Sequence, residues 1–189
     1  MKKLAALFLL LYAGFYLQAQ TFSWDIKFFD ELKRESVPIS QIIRMQNGDE
    51  FSLVITPAED CFAYVVCYDS ARRIIVLHEG QIKSRNEIFL GPFAIEDPAG
   101  TEILYVVMSL ERQTKLENLI QTHKKNPNSR QHANNLYREV VRLQNTVSSL
   151  GEPPSVFIPS GGTTRGGSED FATRFSEKNM YVRTITIRH

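Results

Sequence analysis

Short hydrophobic runs separated by turn residues dominate the first half of the chain. The segment CFAYVVCY at 61–68 contains no glycine or proline and is apolar or aromatic on both alternating faces, which is typical of a strand covered on both sides. Trp24, Ile26 and Phe28 alternate in the same way, and strand runs flank the turn sequence NGD at 47–49. Such runs at intervals of roughly ten residues indicate an all-β sandwich or barrel.

The hydrophobic period changes in the second half of the chain, where two helices are predicted. Apolar residues within 129–151 are spaced as on one helix face, and Gly151 then stops the helix. This apolar stripe consists of Ala133, Leu136, Val140, Leu143, Val147 and Leu150. A shorter helix is predicted at about 114–125. The stripe is compatible with a coiled-coil dimer, but it is too short for the usual three or four heptads and favours a hairpin packed within the domain.

The segment NMYVRTITIRH at 179–189 alternates again and predicts a half-buried closing strand. The pattern therefore predicts a mainly β fold, an immunoglobulin-like β-sandwich with a two-helix insert before the last strand. We expect one domain over 21–189, with the insert at about 114–151.

The first twenty residues have the features of a secretory signal peptide. Lys2 and Lys3 precede an uncharged, mostly apolar run from Leu4 to Leu17, which is shorter than the ~20 residues of a membrane span. Cleavage is expected after Ala19 or Gln20, which predicts a periplasmic or extracellular protein without a membrane span once the signal is removed. The alternative is a retained membrane anchor.

The two cysteines and the histidines do not predict a chemical centre. Cys61 and Cys67 on one strand would be roughly 20 Å apart, whereas a disulfide needs Cα atoms within about 7 Å. We expect free structural thiols. His78 and Glu79 are adjacent, so a strand places them on opposite faces, and no histidine has the spacing of a zinc site. No catalytic constellation, metal site or cofactor is predicted.

The charge balance argues against nucleic acid as a partner. The formal net charge is +1, from 22 basic and 21 acidic residues, which gives no field to attract a polyanion. The expected partner is another protein or a component of the cell envelope, and the protein itself is expected to be a monomer.

The glycine-rich segment IPSGGTTRGGSED at 158–170 predicts a loop and is the candidate ligand site. It lacks the lysine and spacing of a P-loop. Backbone N–H groups beside a cation can still hold a carboxylate or phosphate. The candidate residues are Gly161, Gly162, Thr163, Thr164 and Arg165. The alternative is a connector that only returns the chain to its last strand.

The region 45–112 resembles a bacterial family known as domain of unknown function 4384. The matching features are Gly48-Asp49 before a strand, Pro57, two tyrosines of the central strand, and a turn that leads to Ser109. These residues are Gly48, Asp49, Pro57, Tyr64, Tyr68, Pro98, Gly100, Glu102 and Ser109. The helical insert and the C-terminal segment look like exported, spirochaete-type members. Ala71 and Arg72 stand where family members often have a turn glycine. The resemblance implies no enzymatic activity.

Three function hypotheses follow. The first is a non-enzymatic binding or interaction module of the bacterial cell envelope, with an unknown ligand. The second is a structural subunit that oligomerises through the helical insert. The third is a small hydrolase, although the chain has no G-x-S-x-G motif.

Overall fold

The computed structural model describes residues 22–148, 156–159, 171–177 and 179–189. The predicted signal segment 1–20 and the predicted ligand loop 161–165 lie outside these residues. The strands are β1 (Phe22–Asp30), β2 (Glu35–Val37), β3 (Ile43–Arg44), β4 (Glu50–Pro57), β5 (Cys61–Tyr68), β6 (Ile74–Ile82), β7 (Ile88–Ala94), β8 (Thr101–Ser109), β9 (Val156–Pro159), β10 (Phe171–Glu177) and β11 (Met180–Arg188). The helices are α1 (Thr114–Lys125) and α2 (Arg130–Ser148).

The strands form two sheets, which confirms the predicted mainly β sandwich with a helical insert and excludes the barrel. The first sheet has the order β7-β4-β1-β10-β9, with β2 also paired to β1. The second has the order β3-β11-β8-β5-β6. Neighbouring strands are antiparallel except β3, which runs parallel to β11.

The core between the sheets follows from the alternation along β1. Trp24, Ile26 and Phe28 are all buried, whereas the residues between them are half-buried. The Trp24 ring lies 5.3 Å from the ring of Tyr181, which belongs to the other sheet. This contact joins the two sheets, and aromatic residues bury large areas of apolar surface in such a core.

The two helices cover the outer face of the second sheet. The apolar stripe of α2 is buried, with Leu136, Val140, Leu143 and Val147 no more than 4% exposed. The Tyr137 ring of α2 stacks on Tyr68 of β5 at 4.9 Å. These contacts confirm that the helical hairpin packs within the domain and that β5 is covered on both sides.

The C-terminal part contains two strands that the pattern does not predict. Strands β9 and β10 pair with each other, and β10 also pairs with β1. The expected loop at 158–170 thus begins inside β9. The last strand, β11, pairs with β8 along one edge and with β3 along the other, and its mixture of buried and half-buried residues matches the predicted half-buried strand. Neither helix of the described residues has the length and apolar character needed to span a membrane.

Candidate functional site

The described residues contain a broad cleft of about 1160 Å³ where the β5–β6 hairpin meets the connection between the helices. Its cationic lining comes from separate parts of the chain: Arg72 and Arg73 from the hairpin, Lys124 from α1, and Arg130 from α2. Glu96 is an acidic residue in the same lining. Cations therefore outnumber acidic groups around the cleft.

A carboxylate shapes the hairpin that presents the two arginines. Buried Asp69 accepts hydrogen bonds from the backbone N–H and the Nε–H of Arg73, both at 2.6 Å. The turn also places Arg72 in the left-handed region, with φ of 62°. Asp69 thus neutralises Arg73, whereas the exposed Arg72 has no ion-pair partner among the residues that the structure describes.

The four cations differ in how far they are already neutralised. Lys124 lies 3.1 Å from Glu79, and Arg73 is held by Asp69. Arg72 and Arg130 form no ion pair within the described residues. These two guanidinium groups can bind an incoming anion in a bidentate manner.

The N-terminus of α2 adds to the positive character of the cleft. Ser129 caps the helix, because its Oγ accepts the N–H of His132 at 3.3 Å. Asn128, Ser129 and Arg130 all line the cleft. The first turn of α2 contains no acidic residue, so the partial positive charge of the helix end is uncompensated within that turn.

His123 contributes a buried ring to the cleft wall, and one of its two ring nitrogens has no hydrogen-bond partner in the described part of the chain. Its side chain is 4% exposed, and its Nε2 lies 3.0 Å from the carbonyl oxygen of Ile74. A carbonyl only accepts, so Nε2 carries a proton. In the neutral ring Nδ1 is then an acceptor, and this atom is unpartnered. This atom has almost no accessible surface, so it does not contact a ligand bound in the cleft.

The cysteines and the His78-Glu79 pair, which the sequence made candidates for chemistry, do not form a common site in the structure. The thiols of Cys61 and Cys67 are buried and form no disulfide. Burial raises the pKa of the Cys61 thiol to about 12 and also raises that of Cys67. His78 lies opposite Val65, whereas Glu79 lies within hydrogen-bond distance of α1 side chains, so the two are on opposite faces. Among the described residues, no three His, Cys, Asp or Glu side chains form a metal-binding group.

The predicted ligand residues, Gly161 to Arg165, lie outside the described residues and stay a prediction. Sequence reasoning did not select Arg72, Lys124, His123 or Arg130. One signal was available, because Arg72 stands where the resembled family often has a turn glycine. The other three residues belong to helices whose position on the sheet could not be read from their hydrophobic period.

No family model, curated protein or solved structure matches this chain. The resemblance to the domain of unknown function 4384 therefore remains a prediction from the sequence.

Proposed function

We propose that this protein is a non-enzymatic binding module of the bacterial cell envelope, which recognises an anionic group on its partner in the cleft between the β5–β6 hairpin and the helical insert. The observation that carries the proposal is the convergence of Arg72 and Arg130 on one cleft without ion-pair partners among the described residues. Guanidinium groups from separate elements bind a carboxylate or phosphate with defined geometry.

Binding is favoured over catalysis by the roles of the polar groups in the cleft. The guanidinium of Arg73 is held by Asp69, and the ring Nε2 of His123 is engaged with the Ile74 carbonyl. A general base needs a free site within hydrogen-bond reach of a nucleophile. The cleft instead offers cations and the end of a helix, which suit recognition of an anionic group.

The packing of the helical insert supports a monomer. The apolar stripe of α2 is buried against the second sheet, so a dimer formed through that stripe would first have to detach the helix.

The predicted signal peptide supports export, and the mature protein would begin near Gln20 or Thr21. Intact-mass analysis of the native protein tests this start, and retention of residues 1–17 would contradict the export proposal.

The binding proposal is tested by titrating the mature protein with inorganic phosphate and, separately, with acetate, while backbone amide shifts are followed by NMR. We expect saturable shifts at Arg72, Ser129 and Arg130 with at least one of the two anions. Tighter binding of phosphate would indicate a phosphate-bearing partner, and tighter binding of acetate a carboxylate-bearing one.

Variants that each remove one cation test whether the anion binds in the cleft. Arg72→Gln and Arg130→Gln should each weaken anion binding by about fivefold or more, because each removes one charge-assisted contact. Arg85→Gln is a matched control, since Arg85 is also exposed, also has φ of 62°, and is not part of the cleft. Equal affinity in all three variants would contradict the proposal. Turnover of a generic ester or phosphate ester that one point mutation abolishes would contradict its non-enzymatic part.

A further inference from the structure

A second cavity, of about 330 Å³, lies between the two sheets. Its walls include Cys67 and Leu104 from the second sheet and Phe51 and Phe93 from the first. The volume is at the lower end of the ~300–1,000 Å³ that is usual for small-molecule sites. The cavity lies on the side of the sandwich where the edge strands β6 and β7 contact each other.

The cavity leaves apolar surface exposed to water. Ile75 of β6 is paired in register with Cys67, yet Ile75 is 42% exposed whereas Cys67 is 8% exposed. Leu77 of the same strand also lines the cavity and is only half-buried. An apolar group placed between the sheets would remove this surface from water, which is favourable.

The charged groups around the cavity are mostly acidic, unlike those of the basic cleft. Four carboxylates contribute to the lining, and Arg73 is the basic residue among them. These carboxylates are Asp69, Glu96, Asp97 and Glu102. Arg73 is already held by Asp69. The cavity therefore has an excess of negative charge, which favours a cation and disfavours an anion.

Glu102 is a nearly buried carboxylate of the cavity lining that still has room for a further donor. Its side chain is 12% exposed, so little water can solvate it. Its neighbours are the backbone N–H of Ser70 at 3.2 Å, the thiol of Cys67 at 3.4 Å and the ring Nε2 of His189 at 3.4 Å. The two nitrogen contacts are longer than the 2.7–2.9 Å of strong charge-assisted bonds, and a thiol is a weak donor. An ionised carboxylate has about four acceptor sites, so Glu102 can also accept a hydrogen bond from an ammonium group.

We propose that this cavity is a second binding site, which takes a small apolar molecule carrying one protonated amine. The hydrocarbon part lies with the contacting rings of Phe51 and Phe93 on one side and the side chain of Leu104 on the other. The ammonium group donates to Glu102, and the negative charge of Asp97 in the same lining adds to the attraction. The basic cleft and this cavity thus select ligands of opposite charge, and this proposal does not depend on the function proposed for the cleft.

The test compares three probes of similar size and different charge. These are phenethylammonium, the neutral 2-phenylethanol and the anionic 3-phenylpropanoate, each titrated into the mature protein while amide shifts are followed by NMR. We expect phenethylammonium to bind about tenfold more tightly than the alcohol, with shifts at Cys67, Phe93 and Leu104. We expect no saturable shifts at these residues with the anion.

Two variants assign the charge preference to the cavity. Glu102→Gln keeps the side-chain shape and should abolish the preference for the amine over the alcohol, and Asp97→Asn should reduce it severalfold. Glu87→Gln is the control, because Glu87 is an exposed carboxylate outside the cavity. In the wild type, the Glu102 carboxyl carbon should shift with the amine alone, which tests the contact even if Glu102→Gln does not fold. Equal affinity for amine and alcohol, or absence of saturable amine binding, would overturn the proposal.

Discussion

The hydroxyl of Tyr64 lies 2.8 Å from the Glu117 carboxylate and accepts the backbone N–H of Gln113 at 3.0 Å. Tyr64 belongs to β5, and the other two residues stand at the start of α1. One side chain of the sheet thus satisfies an N–H group next to the first turn of the insert, where helix geometry supplies no partner. The same contact positions α1, which contributes Lys124 to the basic cleft.

Tyr64→Phe should therefore lower the free energy of unfolding by about 1–2 kcal/mol, because it leaves the Gln113 N–H without its acceptor. The loss should be measurable by chemical denaturation. Faster hydrogen exchange should be confined to the first turn of α1. Unchanged exchange at Gln113 would show that this hydroxyl does not hold the helix.

The buried stripe of α2 predicts the effect of a charge in the core. Leu143→Asp should lower stability by about 2 kcal/mol or more, because a carboxylate would replace an apolar side chain that is 3% exposed. Asn145→Asp is the matched control on the exposed face of the same helix. Light scattering should find a monomeric wild type. A stable wild-type dimer that Leu143→Asp splits into folded monomers would instead favour the structural-subunit hypothesis.

Both cysteines should be free and slow to react in the folded protein. Burial raises the pKa of Cys61 to about 12 and raises that of Cys67, so little of the reactive thiolate is present near neutral pH. Thiol labelling before and after denaturation should give no fast reaction in the native state and two labelled thiols in the denatured state. A disulfide between Cys61 and Cys67 in mass mapping would contradict the structure.

The stability of the insert should depend on pH through Glu139. The hydrogen bond from Arg142, together with that from Lys115, holds the pKa of Glu139 below its usual value. A carboxylate with a depressed folded-state pKa contributes stability above its unfolded pKa, and this contribution is lost as the pH falls through the folded pKa.

The expected result is that wild type loses more stability than Glu139→Gln between about pH 7 and about pH 3. Denaturant unfolding at both pH values measures the difference, with Glu111→Gln as an exposed control. An equal loss of stability in wild type and in Glu139→Gln would show that the ion pair contributes nothing.

A substitution at Arg72 tests anion binding separately from the stability of the fold. Arg72→Gly removes the guanidinium but suits the left-handed backbone, where a side chain costs roughly 1–2 kcal/mol. We expect weaker anion binding with unchanged or slightly higher stability. Arg85→Gly, at the same φ of 62°, should affect stability in the same way and leave anion binding unchanged. A variant Arg72→Gly that binds anions as well as wild type would remove this residue from the site.

The amino-acid sequence by itself determined the local features of the protein. The alternation of Trp24, Ile26 and Phe28 was sufficient for β1, because a strand places successive side chains on opposite faces. The apolar stripe was sufficient for α2. The spacing of Cys61 and Cys67 on one strand was sufficient to exclude a disulfide. Each of these features depends on residues that are close together in the chain.

Only the tertiary structure decided which distant segments meet. Strand β10 pairs with β1 from the opposite end of the chain, and no local pattern carries that register. Arg72 and Arg130 approach one cleft because the hairpin tip and the start of α2 lie at the same end of the second sheet. A hydrophobic period predicts that a face is buried, but it does not predict which segment packs against that face. Both proposed sites depend on which segments pack together.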